Sequence, residues 1–393
     1  MKLRLLVIFL LLLTFNIYAA NINVDELKVV SVGEYLSTTG QFNMNTYFNF
    51  VASFNGGYKF AAKTTFAANT YQISNTFLDS SADFYNKVFL VFNGVEVTAR
   101  NLFNSHFFIT FWTGNYKYLG AGSIYKGYLY FPKTQDDDYK GMYRLRGAGV
   151  SSEIRFWEEK FKASLHVYQN TNFVTSATPN AFNYFSFDLE AGIFLKYFSL
   201  EIFGGYTKDF INPNTNAYLK YGRGKAGLTM RIGDGINVDF FAAGGLTNID
   251  DRLVNNLKLG NYGVFDIFYI SAEFHFKLFV TDHIISFLTR PLFFNEKKMK
   301  NMTDIDANYK FNVSVADFPI NGGFILNFNY SVEDPNDTWK LCLSPYMLIK
   351  SSGVVWTINV HYDFSRISVA IAAGDNYLAL DGLKLVLGVS SSF

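Results

Sequence analysis

Residues 184–197 read Tyr-Phe-Ser-Phe-Asp-Leu-Glu-Ala-Gly-Ile-Phe-Leu-Lys-Tyr. Odd positions carry Phe185, Phe187, Leu189, Ala191, Ile193, Leu195 and Tyr197. Even positions carry Ser186, Asp188, Glu190, Gly192 and Lys196, with Phe194 the exception. Successive side chains of a strand point to opposite faces, so this period of two gives one apolar and one polar, charged face. A helix would spread the same charges around its circumference.

The alternation extends both ways. After a tight turn near Lys196-Tyr197, Phe198, Leu200, Ile202 and Tyr206 oppose Ser199, Glu201, Gly205 and Thr207. Over 218–232, Gly224, Ala226, Leu228, Met230 and Ile232 oppose Arg223, Lys225, Gly227, Thr229 and Arg231. Gly233-Asp234-Gly235 signals a short turn. Ile236, Val238, Phe240 and Ala242 then oppose Asn237 and Asp239. Similar runs occur at 268–277, with Glu273 and His275 on the polar face, at 324–331, at 354–363 and at 89–98.

Charged residues are 17% and aromatic residues 19%, with 43 Phe, so the chain is no disordered segment. Lys+Arg number 34 against 33 Asp+Glu, which gives no field to hold a polyanion, and nucleic acid is not an expected partner. One cysteine, Cys342, excludes an internal disulfide or a multi-cysteine metal site.

Residues 1–20 have the order of a secretory signal peptide. Lys2 and Arg4 precede an apolar stretch, Leu5 to Phe15, and small residues follow at Ala19-Ala20. That stretch is too short to span a bilayer as a helix, and no later run of eighteen apolar residues occurs. A closed β-barrel is the remaining way for backbone to cross a membrane. A soluble sandwich also alternates. Against it stand the Phe-rich apolar face, the length of the repetition, and aromatics at segment ends (Tyr184, Tyr197, Tyr218, Tyr262, Tyr330, Trp339, Tyr362), where interfacial girdles belong.

The sequence closes with Leu383-Lys384-Leu385-Val386-Leu387-Gly388-Val389-Ser390-Ser391-Ser392-Phe393. Counting back by twos from Phe393 meets Ser391, Val389, Leu387, Leu385 and Leu383. This resembles the terminal β-signal of bacterial outer-membrane proteins, porin-like in plan; Ser391 departs mildly. The resemblance implies a bacterial outer-membrane location, surrounding lipid, and the barrel-assembly machinery as a partner reading Leu385, Leu387, Val389 and Phe393.

The expected fold is all-β: a transmembrane antiparallel up-and-down barrel of 16–18 strands over 41–393, with 21–40 a first strand or a short segment entering the lumen. Nineteen candidate segments can be marked, among them 123–131 and 366–373. An odd number fits no single-chain bacterial barrel. Tight turns near 233–235 and at Phe364-Ser365 also fall on opposite sides of the membrane in that count, which points to a miscount between 236 and 363. Loops are expected near 69–86, 132–141, 170–181, 247–261 and 295–307, mostly outside the cell.

No catalytic constellation is legible. His106, His166, His275, His283 and His361 are isolated, and no nucleophile elbow, phosphate loop or dinucleotide fingerprint occurs. His361 and Asp363 share a face without a nucleophile; an enzyme would need Ser or Asp beside His361 or His275. No metal site and no cofactor are expected. The candidate lumen and selectivity residues are Asp188, Glu190, Glu201, Arg223, Lys225, Arg231, Glu273 and His275. Pairing 207 with 217 would set Glu201 opposite Arg223. Such charges either orient polar solutes or neutralise one another. Arg144 and Arg146 share parity with outward Ala148 and Val150, so they lie beyond the hydrocarbon zone or follow a bulge.

These readings converge on a channel that passes small polar solutes by diffusion; homotrimers are common among barrels of this size. One alternative is a transporter of hydrophobic molecules, similar in idea to the long-chain fatty-acid transporters, marked by inward aromatic clusters and a lumen-filling amino-terminal segment. Another is a surface adhesin or structural barrel, marked by large ordered outer loops over a blocked lumen.

Overall fold

The structure, a computed structural model, describes residues 21–38, 40–56, 59–70, 88–120, 143–171, 184–209, 223–250, 268–290, 304–315, 318–331 and 339–391. The signal-like residues 1–20, segment 123–131, and Phe393 lie outside them.

Eighteen strands form one sheet closed on itself. In chain order they are β1 (Asn21–Leu36), β2 (Gln41–Gly56), β3 (Phe60–Thr70), β4 (Val88–Ala99), β5 (Phe107–Leu119), β6 (Tyr143–Phe156), β7 (Phe161–Asn170), β8 (Tyr184–Phe194) and β9 (Phe198–Asp209). The ring continues through β10 (Arg223–Gly233), β11 (Val238–Asp250), β12 (Phe268–Leu278), β13 (Thr281–Arg290), β14 (Asp304–Ser314), β15 (Ile320–Ser331), β16 (Trp339–Ser351), β17 (Val354–Asp363) and β18 (Leu383–Ser391). Each pairs antiparallel with its neighbours. Closure is made by β1 against β18, from Leu27 opposite Ser391 to Glu34 opposite Lys384. An even count is what lets first and last strands meet antiparallel.

The two ends of the ring differ. At one end the connections are short: Phe279-Val280 and Ser352-Gly353 are two-residue turns, and 157–160, 195–197 and 234–237 are little longer. Ser352 (φ 50°) and Gly353 (φ 80°) have the left-handed backbone of a type I′ hairpin, which only glycine adopts without strain at its position. At the other end most connections run long, 71–87, 120–142, 171–183, 210–222, 251–267, 291–303 and 364–382, with 37–40 and 332–338 the shorter ones. This asymmetry of short turns and long loops is that of outer-membrane-type barrels.

Burial follows the dyad. On β8, Phe185, Phe187 and Leu189 are exposed while Ser186, Asp188 and Glu190 are buried. Outward side chains of β6–β9 line up in cross-strand rows, Ile154–Ala163–Ala191–Ile202 and Val150–Val167–Phe187–Tyr206 among them. Aromatics mark both edges. Tyr330 pairs with Trp339 at the long-loop end. Phe103, Trp157 and Phe279, all with positive φ, project from the short turns, and Lys196 lies over the Tyr197 ring.

Several expectations are corrected. Segment 366–373 is helix α1 (Ser365–Ala373), not a strand. Ile367 and Ile371 are spaced for a helix as well as for a strand, and the stretch is alanine-rich. Gly374 (φ 67°) ends it, donating its N–H to the Ala370 and Ile371 carbonyls. Phe364-Ser365 is therefore no tight turn but the start of a long-end connection, and this removes the parity conflict. The ring closes with β5 hydrogen-bonded directly to β6. Asn21–Leu36 supplies a wall strand whose dyad count is broken by a bulge between Val24 and Glu26. A second bulge leaves Asn93 unpaired between Phe92 and Gly94, so one parity does not run through 89–98. Strands also reach into expected loops at Asn69-Thr70, 247–250 and 304–307.

Candidate functional site

Among the described residues the buried charges lie on the inward face, so the site is built from the inward side chains. On β8, Asp188 is fully buried. Lys225 of β10 reaches past β9 and sets its Nζ 2.8 Å from both carboxylate oxygens. The Tyr168 hydroxyl of β7 donates to the same carboxylate at 2.7 Å. Lys225 also lies 3.3 Å from the centroid of the Tyr143 ring. Asn170 donates to the Tyr143 hydroxyl at 2.9 Å and to Ser186 Oγ at 2.8 Å, and Ser186 shares a 2.6 Å bond with Thr207. Gly205 keeps the space open, because a Cβ there would meet Asp188 and Lys225.

One layer nearer the short turns, Glu190 pairs with Lys117 of β5. His166 Nε2 lies 3.8 Å from Glu190, and its Nδ1 shares a 2.7 Å bond with Ser151, which also accepts from Trp112 Nε1 at 2.8 Å. Trp112 stacks on Tyr116 with centroids 4.9 Å apart. Trp112, Leu119, Leu145, Tyr168, Phe203, Phe241 and Ala243 form one buried cluster inside the ring. Here the wall is a packed core rather than an open surface.

The predicted residues divide accordingly. Asp188, Glu190, Glu201, Lys225 and Glu273 face inward and are buried. Charges so deep are tolerated only when paired and hydrogen-bonded. Arg231 donates to the Lys196 carbonyl at 3.2 Å and so ties a short turn. His275, opposite Asp239, is part-buried. Arg223 lies in β10, but its side chain is outside the described ones. The expected register is corrected: Thr207, not residue 201, sits opposite Arg223, and Glu201 sits opposite Thr229. The length of the 210–222 connection sets that register, and nothing in its sequence announces it.

Polar pairs continue along the far wall. Asn329 donates to Asp306 at 2.8 Å, and the Tyr346 hydroxyl to Asn312 at 3.0 Å. Ser344 Oγ lies 2.7 Å from His361 Nδ1, so a hydroxyl does stand beside this histidine. Ser344 is 1% exposed, and Asp363 Oδ1 accepts from the Ser365 N–H and hydroxyl. This Ser–His contact joins β16 to β17.

The sequence set Thr357, Asn359 and His361 on a polar face but did not single out the accessible charges Lys28, Glu34 and Lys384. Lys28 and Glu34 of β1, Thr357, Asn359 and His361 of β17, and Lys384 of β18 face inward and are partly exposed. Lys384 lies 3.4 Å from Glu34. At the short-turn mouth, Arg155 bonds Glu153 at 2.6 Å and covers the Phe108 ring, and Lys162 lies 3.4 Å from Glu153. The available signal was parity: Lys384 alternates with the outward leucines of the terminal strand. Outside the barrel wall, in the 234–237 turn, Asp234 accepts N–H groups from Asn237, Ile236 and Val238. These bonds, that of Asn237 foremost, hold its carboxyl well below the usual range.

No protein family's sequence profile matches this chain, and no curated protein matches it. Among solved structures it is similar to Salmonella typhi OmpF in complex with daunomycin, at 8% identity over 95% of this chain and 97% of that one, with a TM-score of 0.49. It is likewise similar to a Rhodopseudomonas blastica porin triple mutant (8% identity, 95% and 100% covered, TM-score 0.44) and to a low-pH structure of Pseudomonas putida OprB (9%, 95% and 93%, TM-score 0.42).

Proposed function

We propose that this protein is a bacterial outer-membrane channel through which small polar solutes diffuse. One observation carries the reading: a closed eighteen-strand ring, apolar outside, whose inward side chains along β17, β18 and β1 are polar, charged and partly exposed. Closed barrels of 16–18 strands enclose an aqueous channel unless something fills it. The packed layer on β5–β11 narrows the interior and leaves the route beside Lys28, Glu34, Asn359, His361 and Lys384. Selectivity then belongs to these accessible groups, while the Asp188–Lys225 and Glu190–Lys117 pairs hold the wall.

The hydrophobic-transport reading draws support from the inward cluster of Trp112, Tyr168, Phe203 and Phe241. Its other mark, a lumen-filling amino-terminal segment, is at odds with the place of Asn21–Leu36 in the wall.

Single-channel recording of the protein in a planar bilayer at unequal salt tests the channel. Steady conductance is expected, and Lys384→Gln should move the cation/anion permeability ratio by about twofold, the scale of one partly screened charge. A folded barrel that conducts nothing and instead takes up an apolar fluorophore saturably would replace this reading with the second.

A further inference from the structure

The rows on the outward face of β6–β9 change character at one level. Val150–Val167–Phe187–Tyr206 is apolar. The next row toward the long-loop end is Ala148–Gln169–Phe185–Lys208. Beyond it on β6 stand Arg146 and Arg144. Leu145 and Gly147 are buried on the inner face, whereas Arg146 and Ala148 are exposed and Arg144 is half-buried with its Nε covered. Pairing of β6 with β7 runs unbroken from Gly147 to Phe156, and the bulge in this region lies on β5, between Asn115 and Tyr118. Both arginines therefore keep the outward parity of Ala148. They sit past the apolar rows, and this parity supports the rim among the two readings open from the sequence.

We propose that this rim binds anionic lipid in the leaflet around the long-loop end, with Arg144 and Arg146 taking the phosphate and Lys208 standing as a flanking cation. The proposal rests on the chain spanning a membrane, not on its conducting. Four observations support it. Among the described outward side chains of β6–β9 none is acidic, and the connecting sequences 172–183 and 210–222 contain no Asp or Glu; the acid close in sequence to this rim is the run Asp136-Asp137-Asp138 in the connection leading into β6. Residues two apart on a strand place the two guanidinium stems roughly 7 Å apart, and Lys208 stands three strands away, roughly 14 Å. The Tyr118 ring lies 5.6 Å from Arg144 Cζ and supports the guanidinium from the side. The exposed apolar row directly below gives the acyl chains a surface, so headgroup and tail are met in the order a lipid presents them. Arginine's planar fork suits phosphate oxygens, and cations at this depth are favoured by an anionic surface.

The test is native mass spectrometry of the folded full chain in neutral detergent, titrated with phosphatidic acid, with diacylglycerol of the same acyl chains, and with inorganic phosphate. Phosphatidic acid should be retained and diacylglycerol lost. The triple variant Arg144→Gln, Arg146→Gln, Lys208→Gln should bind phosphatidic acid more weakly by on the order of a hundredfold, each cation contributing about fivefold. Arg144→Lys with Arg146→Lys should keep most of the binding. Lys196→Gln, at the short-turn end, should change nothing. Equal retention of diacylglycerol, an unaffected triple variant, or displacement of the lipid by equimolar inorganic phosphate would each overturn the assignment. Should the triple variant fail to fold, the wild-type lipid comparison and the lysine variant still decide. A barrel that never conducts leaves the proposal standing; one that never inserts into bilayers removes its premise.

Discussion

Lys225 spans the width of β9 to reach Asp188, and that contact fixes what substitution does. With the cation removed, a carboxylate at 0% exposure keeps, among the described residues, the Tyr168 hydroxyl. Lys225→Met should therefore cost about 3–5 kcal/mol, read as a lowered urea midpoint of the folded barrel. Adding Asp188→Leu should restore most of the loss, since the uncompensated charge, not the missing bond, is the larger penalty. A single variant that unfolds at the wild-type midpoint would refute the pairing. The inward placement of both residues was legible from parity alone. Their partnership was not, because it skips a strand, and Glu201 shows how a six-residue error in one connection reassigns every neighbour.

The β10–β11 hairpin turns on Asp234, whose carboxylate collects three consecutive backbone N–H groups. Its folded value lies below the ordinary aspartate value of about 4. The sign follows: the unfolded chain takes up the proton first as pH falls, so the contribution is whole above about pH 4 and fades below it toward the depressed folded value. The urea-midpoint gap between wild type and Asp234→Ala should thus be wider at pH 7 than at pH 2.5; a constant gap would show that the turn does not depend on the ionised form. That turn was readable because Gly-Asp-Gly has few other uses. Helix α1 was not, since Ile367-Ser-Val-Ala-Ile371 satisfies both periods and only position, beyond the last paired residue of β17, decides between them. β1 was ambiguous for another reason: the bulge between Val24 and Glu26 exchanges the faces partway along, so no single alternation runs through it.

At the scale of the whole molecule, the long-loop and short-turn ends follow from strand parity alone, and parity is what β1 supplies. Deleting residues 21–36 leaves β2 and β18 without their shared neighbour. A seventeen-strand remainder cannot bring those two together antiparallel. Such a variant should stay protease-sensitive and fail to give the heat-dependent gel shift of a closed barrel; a compact, resistant product would show that β1 is dispensable. The pairing of Val29 with Val389 has a further consequence, one of timing. It joins the most distant paired strands of the chain, while the other seventeen pairings join consecutive strands, so closure is the one step expected to be slow on topology alone. Its entropic penalty is modest, because loop closure grows only logarithmically with length. The hazard is the interval before closure. Throughout it the chain carries two open strand edges with complementary partners in every other copy: β1 can pair with β2 at once, but its other edge stays open until β18 is in place.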